Sequence, residues 1–131
     1  MASTTIPEAF YDLFEKRTFA HFATVTDDGS PHVTPVWIDY DSESNRLLVN
    51  TERGRRKERN VVANPSVGLS MVDPDDPYRY LSVIGEVDEI TTDGAREHAD
   101  VLAGRYTGTA EYPSEIRTER VLLEIRPVEV L

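Results

Sequence analysis

Residues 19–40 read FAHFATVTDDGSPHVTPVWIDY, and this stretch decides how the chain folds. Two segments rich in β-branched and aromatic residues, Phe19–Thr26 and Pro31–Tyr40, flank the polar turn DDGS. A short glycine-containing loop between two such segments is typical of an antiparallel β-hairpin. The sequence therefore predicts two paired strands joined by a four-residue loop.

The rest of the chain continues this β pattern around two or three helices. Further strands are predicted for the segments RLLVNT, SVGLSMV, YRYLSVIGEVDEI and ERVLLEIRPVEV. Helices are predicted for Pro7–Arg17, for a cationic segment that ends at Asn64-Pro65, and for Asp93–Tyr106. An open flat sheet would expose its edges, so six mostly antiparallel strands favour closure into a barrel. We expect a mainly β, six-stranded antiparallel barrel with flanking helices, forming one domain over residues 1–131.

The composition limits the classes of partner. The chain has 131 residues, no cysteine, and 24 acidic against 14 basic residues, for a net charge of -10. A surface of this charge repels nucleic acid and anionic membranes, and the absence of cysteine excludes disulfides and cysteine-ligated metal sites. No apolar run approaches the roughly 18 residues of a membrane span, and the start lacks a signal-peptide pattern. We expect a cytoplasmic protein without nucleic-acid or membrane partners.

The positive charge is concentrated in one place. Residues 50–60, NTERGRRKERN, contain five cationic side chains beside Gly54. A glycine followed by a helix start presents backbone N–H groups to an anion, so Arg55, Arg56 and Lys57 are candidate phosphate ligands. The alternative is a solvated helix face. At about 100° per residue Arg55 and Lys57 would lie on opposite sides of a helix, so they can share one phosphate only if Arg55 belongs to the loop.

Three short stretches are candidate walls of a binding site. In TPVW (residues 34–37), Pro35 lacks an N–H, so this strand should have an open or ligand-facing side. VNT (residues 49–51) ends the neighbouring strand just before the cationic cluster. YRY (residues 78–80) places two aromatic rings on one strand face and an arginine on the other. The alternative for TPVW is an edge strand with a core tryptophan, and YRY is equally compatible with ordinary cross-strand packing.

The histidines do not form a metal site in this reading. With a four-residue loop, His32 is predicted opposite Val25 and His21 opposite Val36, so the hairpin separates them. No Ser-His-Asp set or diagnostic pair of carboxylates appears either. If the protein is an enzyme, a bound cofactor must supply the chemistry.

The closing strand has two apolar faces. Val121, Leu123 and Ile125 alternate towards the interior, whereas Leu122 falls on the opposite face. A second apolar face suggests a partner chain, most simply another copy in a symmetric dimer.

Taken together, these motifs resemble a known family. The order ATV..DGSPHVTPVWID, LLVNT.RGRRKERN, NPSVGLSM, DPDDPYRYLSVIGEV and RVLLEIRP is similar to the pyridoxamine 5′-phosphate oxidase-like split β-barrel proteins that bind flavin or deazaflavin. Within that superfamily it is most similar to the small F420-dependent oxidoreductases. The resemblance covers the chain from about residue 10.

The resemblance implies a homodimer with two cofactor sites in clefts between the subunits, each holding F420 or, alternatively, FMN. Arg55 and Lys57 match the positions that hold the cofactor phosphate, and Arg53, Arg56 or Arg79 could accept the polyglutamate tail of F420. The positions that match the ring-binding and ribityl-binding strands are Thr34, Pro35, Val36, Trp37, Val49, Asn50 and Thr51. Tyr78, Arg79 and Tyr80 match a region that approaches the cofactor from one subunit or the other.

The implied function is hydride transfer between the reduced flavin or deazaflavin and a small organic substrate. The sequence lacks the C-terminal segment with which pyridoxamine phosphate oxidases complete their substrate site, so that specific activity is not expected. A non-catalytic carrier or sensor of the same cofactor is the alternative. Haem handling on the same barrel and binding of single-stranded RNA are further alternatives, the latter disfavoured by the net charge.

Overall fold

Seven strands of the described residues, 3–131, form one antiparallel sheet in this computed structural model. The strands are β1 (Phe19–Val25), β2 (Pro31–Trp37), β3 (Asp39–Asp41), β4 (Arg46–Glu52), β5 (Ser66–Asp73), β6 (Asp76–Thr91) and β7 (Arg120–Val130). The helices are a 3₁₀ helix (Glu8–Phe14), α1 (Arg56–Ala63) and α2 (Ala95–Thr107). The mainly β class with flanking helices is confirmed, with seven strands in place of six.

The order of the strands explains why the sheet curls. It runs β2-β1-β5-β6-β7-β4-β3, so β2 and β3 lie at its two opposite edges. These two strands are nevertheless consecutive in the chain, separated only by Ile38. The two edges must therefore meet at Ile38, which curls the sheet into a half-barrel. The single strand predicted for Pro31–Tyr40 is in fact two strands on opposite edges.

Helix α2 holds this junction in place. Ile38 is fully buried. Its N–H donates to the Tyr106 hydroxyl at 3.1 Å, and its carbonyl accepts from Arg105 Nη1 at 3.3 Å. The Tyr106 hydroxyl also donates to the Thr18 carbonyl. The tyrosine thus ties the ends of the strand segments to α2, and burial raises the pKa of its hydroxyl.

The register of the hairpin differs from the prediction by one residue. Val25 pairs with Pro31, so the loop has five residues, 26–30, and His21 lies opposite Pro35. The Thr26 N–H donates to the Ser30 carbonyl at 2.9 Å, so the loop begins one residue before the predicted turn sequence DDGS. The predicted separation of His21 from His32 holds, although their partners differ.

Alternation along the strands builds the core as the sequence predicted. The inward residues of the last two long strands are almost completely buried, as are those of α2. They are Leu81, Val83, Val87, Val121, Leu123, Ile125, Ala95, Ala99, Leu102 and Tyr106. The first helix is a shorter 3₁₀ turn than predicted, and it contributes Leu13 and Phe14. Helix α2 begins two residues later than predicted.

Leu122 does not need a partner chain to cover it. It pairs with Asn50 across β7 and β4, and paired residues share a sheet face. The Asn50 amide donates to the Ala95 carbonyl on α2, so this face lies under α2 of the same chain. The apolar residue that suggested a dimer is explained by intrachain packing.

Gly85 is required where β6 crosses β7. The β6–β7 register shifts between Ile84 and Gly85. A Cβ at Gly85 would lie 2.6 Å from Ile125 Cγ2 and 3.1 Å from the Arg126 carbonyl oxygen. The predicted close approach at this glycine is confirmed.

Replacing Gly85 with alanine should lower the free energy of unfolding by about 1–3 kcal/mol, because the added methyl group overpacks a core contact. Urea unfolding followed by circular dichroism measures the change. Gly68→Ala is the matched control, since its Cβ would meet only Ala23 Cβ at 3.8 Å. Equal stability of the two variants would contradict this account.

Candidate functional site

A cavity of about 260 Å³ opens beside the edge strand β2. It is bounded by β2, by the end of β4, by the start of α1 and by the loop that precedes β7. Its lining residues are Phe19, Pro35, Val36, Trp37, Asn50, Thr51, Arg55, Lys57, Tyr112, Pro113, Ser114 and Arg120. Seven of the twelve residues predicted for the cofactor site therefore line one cavity: Pro35, Val36, Trp37, Asn50, Thr51, Arg55 and Lys57.

The turn before α1 brings Arg55 and Lys57 to the same place. Gly54 has φ 92°, a left-handed conformation that favours glycine. Arg55 is the N-cap with extended backbone (φ -66°, ψ 156°), so it still belongs to the loop, whereas Lys57 lies in the first helical turn. The buried Glu58 carboxylate accepts the Gly54 N–H at 2.9 Å and holds the turn closed. The condition under which both cations can face one phosphate is met.

Electrostatics in the cavity favour an anion. Burial, together with the charges of Arg55 and Arg120, lowers the pKa of Lys57. Burial also lowers the pKa of Arg120. Within residues 3–131, neither Arg55 nor Lys57 forms a salt bridge. Placing mutually repelling cations in a partly buried space costs free energy, and an anion bound between them offsets that cost.

Arg120 is a cavity residue that the sequence analysis missed. It lies opposite Glu52 at the start of β7, one residue pair beyond Thr51 and Val121. Its guanidinium carbon lies 4.4 Å from the centre of the Tyr112 ring, and its Nε donates to Asn50 Oδ1 at 2.8 Å. The sequence predicted a strand beginning at ERV, but only the pairing of that strand with β4 places Arg120 beside the cationic cluster.

Aromatic rings form one wall. Trp37 stacks on Tyr106 with ring centres 5.0 Å apart and planes 13° from parallel. Tyr112 meets Trp37 edge-on at 6.2 Å. The Tyr112 N–H donates to Asp100 Oδ1 at 2.8 Å, which anchors the loop that carries this ring. Tyr112 lies in an irregular segment, where strand and helix periodicity gave no signal.

Two predicted residues of the adjoining strands do not line the cavity. Val49 is fully buried in the core, because it faces inward on β4 between Asn50 and Leu48. Thr34 lies on the inward face of β2, with Val36, and its hydroxyl oxygen is buried without a hydrogen-bond partner within residues 3–131.

Arg56 points to a different cleft. That cleft, of about 530 Å³, is lined by Thr26, Asp27, Asp28, Ser30, Arg56, Arg59 and Asn60. Two aspartates balance its two arginines, so it lacks the net positive charge of the smaller cavity. We therefore place the anion site in the smaller cavity despite its size.

Tyr78 and Arg79 also lie away from the cavity within one chain. The Arg79 guanidinium donates to Asp73 Oδ2 at 2.7 Å and to Asp12 Oδ1 at 2.8 Å, and it packs over the Phe10 ring at 5.1 Å. Tyr78 is 91% exposed. Arg79 therefore holds the 3₁₀ helix against β5 and β6 and does not line the cavity.

Neither a metal cluster nor a membrane span emerges from the chain between residues 3 and 131. Histidine, aspartate and glutamate side chains there form no group of three or more that could hold a metal ion. No helix in that range has both the length and the apolarity needed to cross a bilayer.

Comparisons with known proteins find relatives over nearly the whole chain. The family model described as pyridoxamine 5′-phosphate oxidase matches residues 6–131. A solved structure named F420 reductase is 37% identical, with 96% of this chain and 98% of that chain covered and a TM-score of 0.83. No curated protein matches the sequence.

More distant structures show the fold alone. A conserved hypothetical protein from Mycobacterium tuberculosis is 22% identical, with 99% of this chain and 86% of that chain covered and a TM-score of 0.70. Group A Streptococcus HupZ is 21% identical, with 93% of this chain and 90% of that chain covered and a TM-score of 0.63.

Replacing Arg79 with methionine should lower the thermal unfolding temperature at neutral pH and have little effect near pH 2. Its hydrogen bonds lower the pKa of Asp12 to about 2. The Asp75 N–H, Lys16 and Arg79 together lower the pKa of Asp73 to about 2. These depressed values stabilise the fold above the ordinary aspartate pKa of about 4, and the contribution is lost as pH falls through about 2.

Thermal melts between neutral pH and pH 2 measure the difference. Arg117→Met is the matched control, because that side chain is 81% exposed and its pairing with Glu115 is long, at 3.8 Å. A deficit for Arg79→Met that stays constant over this range would rule out the ion pairs as its cause.

Proposed function

Because the chain belongs to the pyridoxamine 5′-phosphate oxidase family, we propose that the cavity beside β2 binds a phosphate-bearing cofactor, F420 or alternatively FMN, and that the protein is an oxidoreductase. The proposal rests on one observation: Arg55, Lys57 and Arg120 line the same cavity, and the first two have no paired carboxylate within residues 3–131. An anion at this point would stabilise the charges that burial and mutual repulsion now disfavour.

The chemistry of the donor set fits such a cofactor. Beyond the cations, the N–H groups of the first turn of α1 have no acceptor four residues earlier within the helix, so they can face a phosphate. The other end of the cavity is lined by Trp37, Pro35 and Val36, which suit a planar ring.

The residues of the cavity can position and enclose a cofactor, but they do not form an acid–base pair. Among residues 3–131, no histidine or carboxylate lines it, and Lys57 and Tyr112 are lining groups that could move a proton. When bound, F420 or FMN supplies a ring that exchanges a hydride with a small organic substrate. The protein then contributes by fixing the phosphate at one end, packing the ring against β2, and excluding water.

The solved relative named F420 reductase, at 37% identity, supports F420 as the first choice. A carrier or sensor would use the same cavity, since binding alone needs no catalytic side chain. Visible spectra of the purified protein, titration with each cofactor, and turnover of the reduced cofactor with a panel of small conjugated and carbonyl compounds separate these functions. Binding without turnover of any compound would favour the carrier.

We propose a second copy of the chain as the partner. Helix α2 covers the outer face of β4 and β7, but the outer face of β2, β1, β5 and β6 is open. Most side chains at the centre of this face are small, since Ser70 pairs with His21 and with Ser82, and Ala23 pairs with Gly68. Exposed apolar side chains surround that centre: Phe19, Val33, Val72, Tyr80 and Ile84.

The open face is continuous with the cavity. Phe19 and Pro35 belong to both, so a second chain seated on this face would border the cofactor. The same docking would bring the exposed Tyr78 and Tyr80 of β6 into an interface. This arrangement supports the homodimer that the family resemblance implies.

The double variant Arg55→Ala/Lys57→Ala should weaken cofactor binding ten-fold or more, since each charge-assisted contact contributes about 1.5–3 kcal/mol. Cofactor fluorescence titration measures the affinity. Arg56→Ala/Arg59→Ala is the matched control, with the same charge change on the same segment but in the neighbouring cleft. Equal losses in both doubles would mean that net charge, and not this cavity, governs binding.

Replacing Ser70 with arginine should convert the dimer to a monomer, because a bulky charge would stand at the centre of the open face. Light scattering coupled to gel filtration measures the mass. Val101→Arg, at an exposed position of α2, is the control that should leave the dimer intact. A wild-type protein that is monomeric at all concentrations would refute the proposed interface.

A further inference from the structure

The Asn50 amide at the floor of the cavity is held in one orientation by a backbone group. Asn50 Nδ2 donates to the Ala95 carbonyl oxygen at 2.7 Å. A carbonyl oxygen can only accept, so the nitrogen of the amide must face α2 and the oxygen must face the other way. That oxygen, Oδ1, accepts the Nε–H of Arg120 at 2.8 Å, a group that can only donate. Two independent partners therefore fix the same orientation.

This orientation determines the tautomer of His98. Asn50 Nδ2 also lies 3.2 Å from His98 Nδ1, and its second hydrogen needs an acceptor there. Nδ1 must then be unprotonated, and the ring proton must sit on Nε2. Nε2 lies 2.9 Å from Asp39 Oδ2, a carboxylate oxygen that accepts this proton. The chain of hydrogen bonds is complete when the His98 ring is neutral.

We propose that His98 is a positioning residue for the anion site: with a neutral ring it holds Asn50 so that Oδ1 orients Arg120, and a second ring proton disrupts this arrangement and weakens anion binding. The inference rests on the proposed function, because it concerns regulation of that same cavity. His98 does not line the cavity and acts through Asn50.

Protonation conflicts with the network at one atom. A proton on His98 Nδ1 would face the Asn50 NH₂ group, donor against donor. The amide would have to turn, which removes the acceptor from Arg120 Nε and leaves the Ala95 carbonyl facing an oxygen. An imidazole is the side-chain group that ordinarily changes charge between about pH 5 and 8, so pH 8 and pH 5.5 are the values to compare.

The charged groups around His98 do not relieve the conflict. Asp39 on β3 faces Nε2, the opposite side of the ring, and also pairs with Arg105 on α2 at 3.3 Å. Burial raises the pKa of Asp39, but the hydrogen bond from His98 and the Arg105 charge outweigh it and leave the pKa lowered. Asp39 therefore stays ionised and accepts the hydrogen bond of the His98 ring. Arg120 on β7 is linked to that ring through Asn50 on β4.

Two variants separate positioning from packing. His98→Gln keeps an amide oxygen for Asn50 and an N–H for Asp39, but it cannot be protonated. His98→Leu keeps similar volume and loses both hydrogen bonds. The probes are F420 and FMN, each titrated by fluorescence at pH 8 and pH 5.5, with thermal melts to establish that each variant is folded. Comparison with His98→Gln at each pH cancels the titration of the cofactor phosphate.

At pH 8 we expect His98→Gln to bind within about two-fold of wild type and His98→Leu about five- to ten-fold more weakly, as the loss of one oriented charge-assisted contact implies. At pH 5.5, wild type should bind about five-fold more weakly than His98→Gln. Nitrogen-15 shifts of the His98 ring in the free protein at pH 8 should show protonated Nε2 and bare Nδ1.

A wild-type to His98→Gln affinity ratio that does not change with pH, or a folded His98→Leu that binds like wild type, would overturn the positioning role alone. The opposite tautomer in the free protein would overturn it independently of any ligand. Failure of the wild type to bind either cofactor would overturn the proposed function, and with it the positioning role, even if the tautomer is as expected.

Discussion

The structure depends on one topological constraint: residues 31–41 supply both edges of the sheet. Because β2 and β3 lie at opposite ends of the strand order but are joined through Ile38, the sheet has to curl until its edges meet. Tyr106 makes the junction rigid by hydrogen bonding to the Ile38 N–H and to the Thr18 carbonyl. The cavity opens beside β2 next to this junction, since its lining residue Trp37 directly precedes Ile38. The curling of the sheet and the position of the cavity therefore follow from the same constraint.

The cavity groups like charges, which costs free energy for a reason that folding alone does not explain. Arg55, Lys57 and Arg120 are brought together in a chain whose net charge is -10, although the surplus carboxylates could have been placed among them. Burial and repulsion lower the pKa of Lys57 and of Arg120. Groups perturbed in this way within a cleft are characteristic of functional sites. The ion pairs of Arg79 show the contrast, since there each cation has its carboxylates and the arrangement serves packing.

Much of this was readable from the sequence, and the failures have identifiable causes. The hairpin, the inward alternation of β7 and the cationic start of α1 are local patterns, and local patterns predicted them. The sequence did not indicate the break at Ile38, because a segment that passes from one edge of the sheet to the other keeps its apolar composition. The apolar face at Leu122 suggested a partner chain, whereas α2 of the same chain lies over that face, because sequence alone does not tell which face a helix covers. Arg120 and Tyr112 were missed because their place depends on pairing with distant strands and on an irregular loop.

We propose that the cavity recognises a cofactor through its phosphate. The most direct test compares ligands that differ in this group alone: FMN with riboflavin, and F420 with the same deazaflavin lacking the phosphate and tail. Isothermal titration of the wild-type protein should show at least about a hundred-fold tighter binding of the phosphate-bearing member of the preferred pair, from two or more charge-assisted contacts. Equal affinity for the two members of that pair would show that the three cations serve some other purpose.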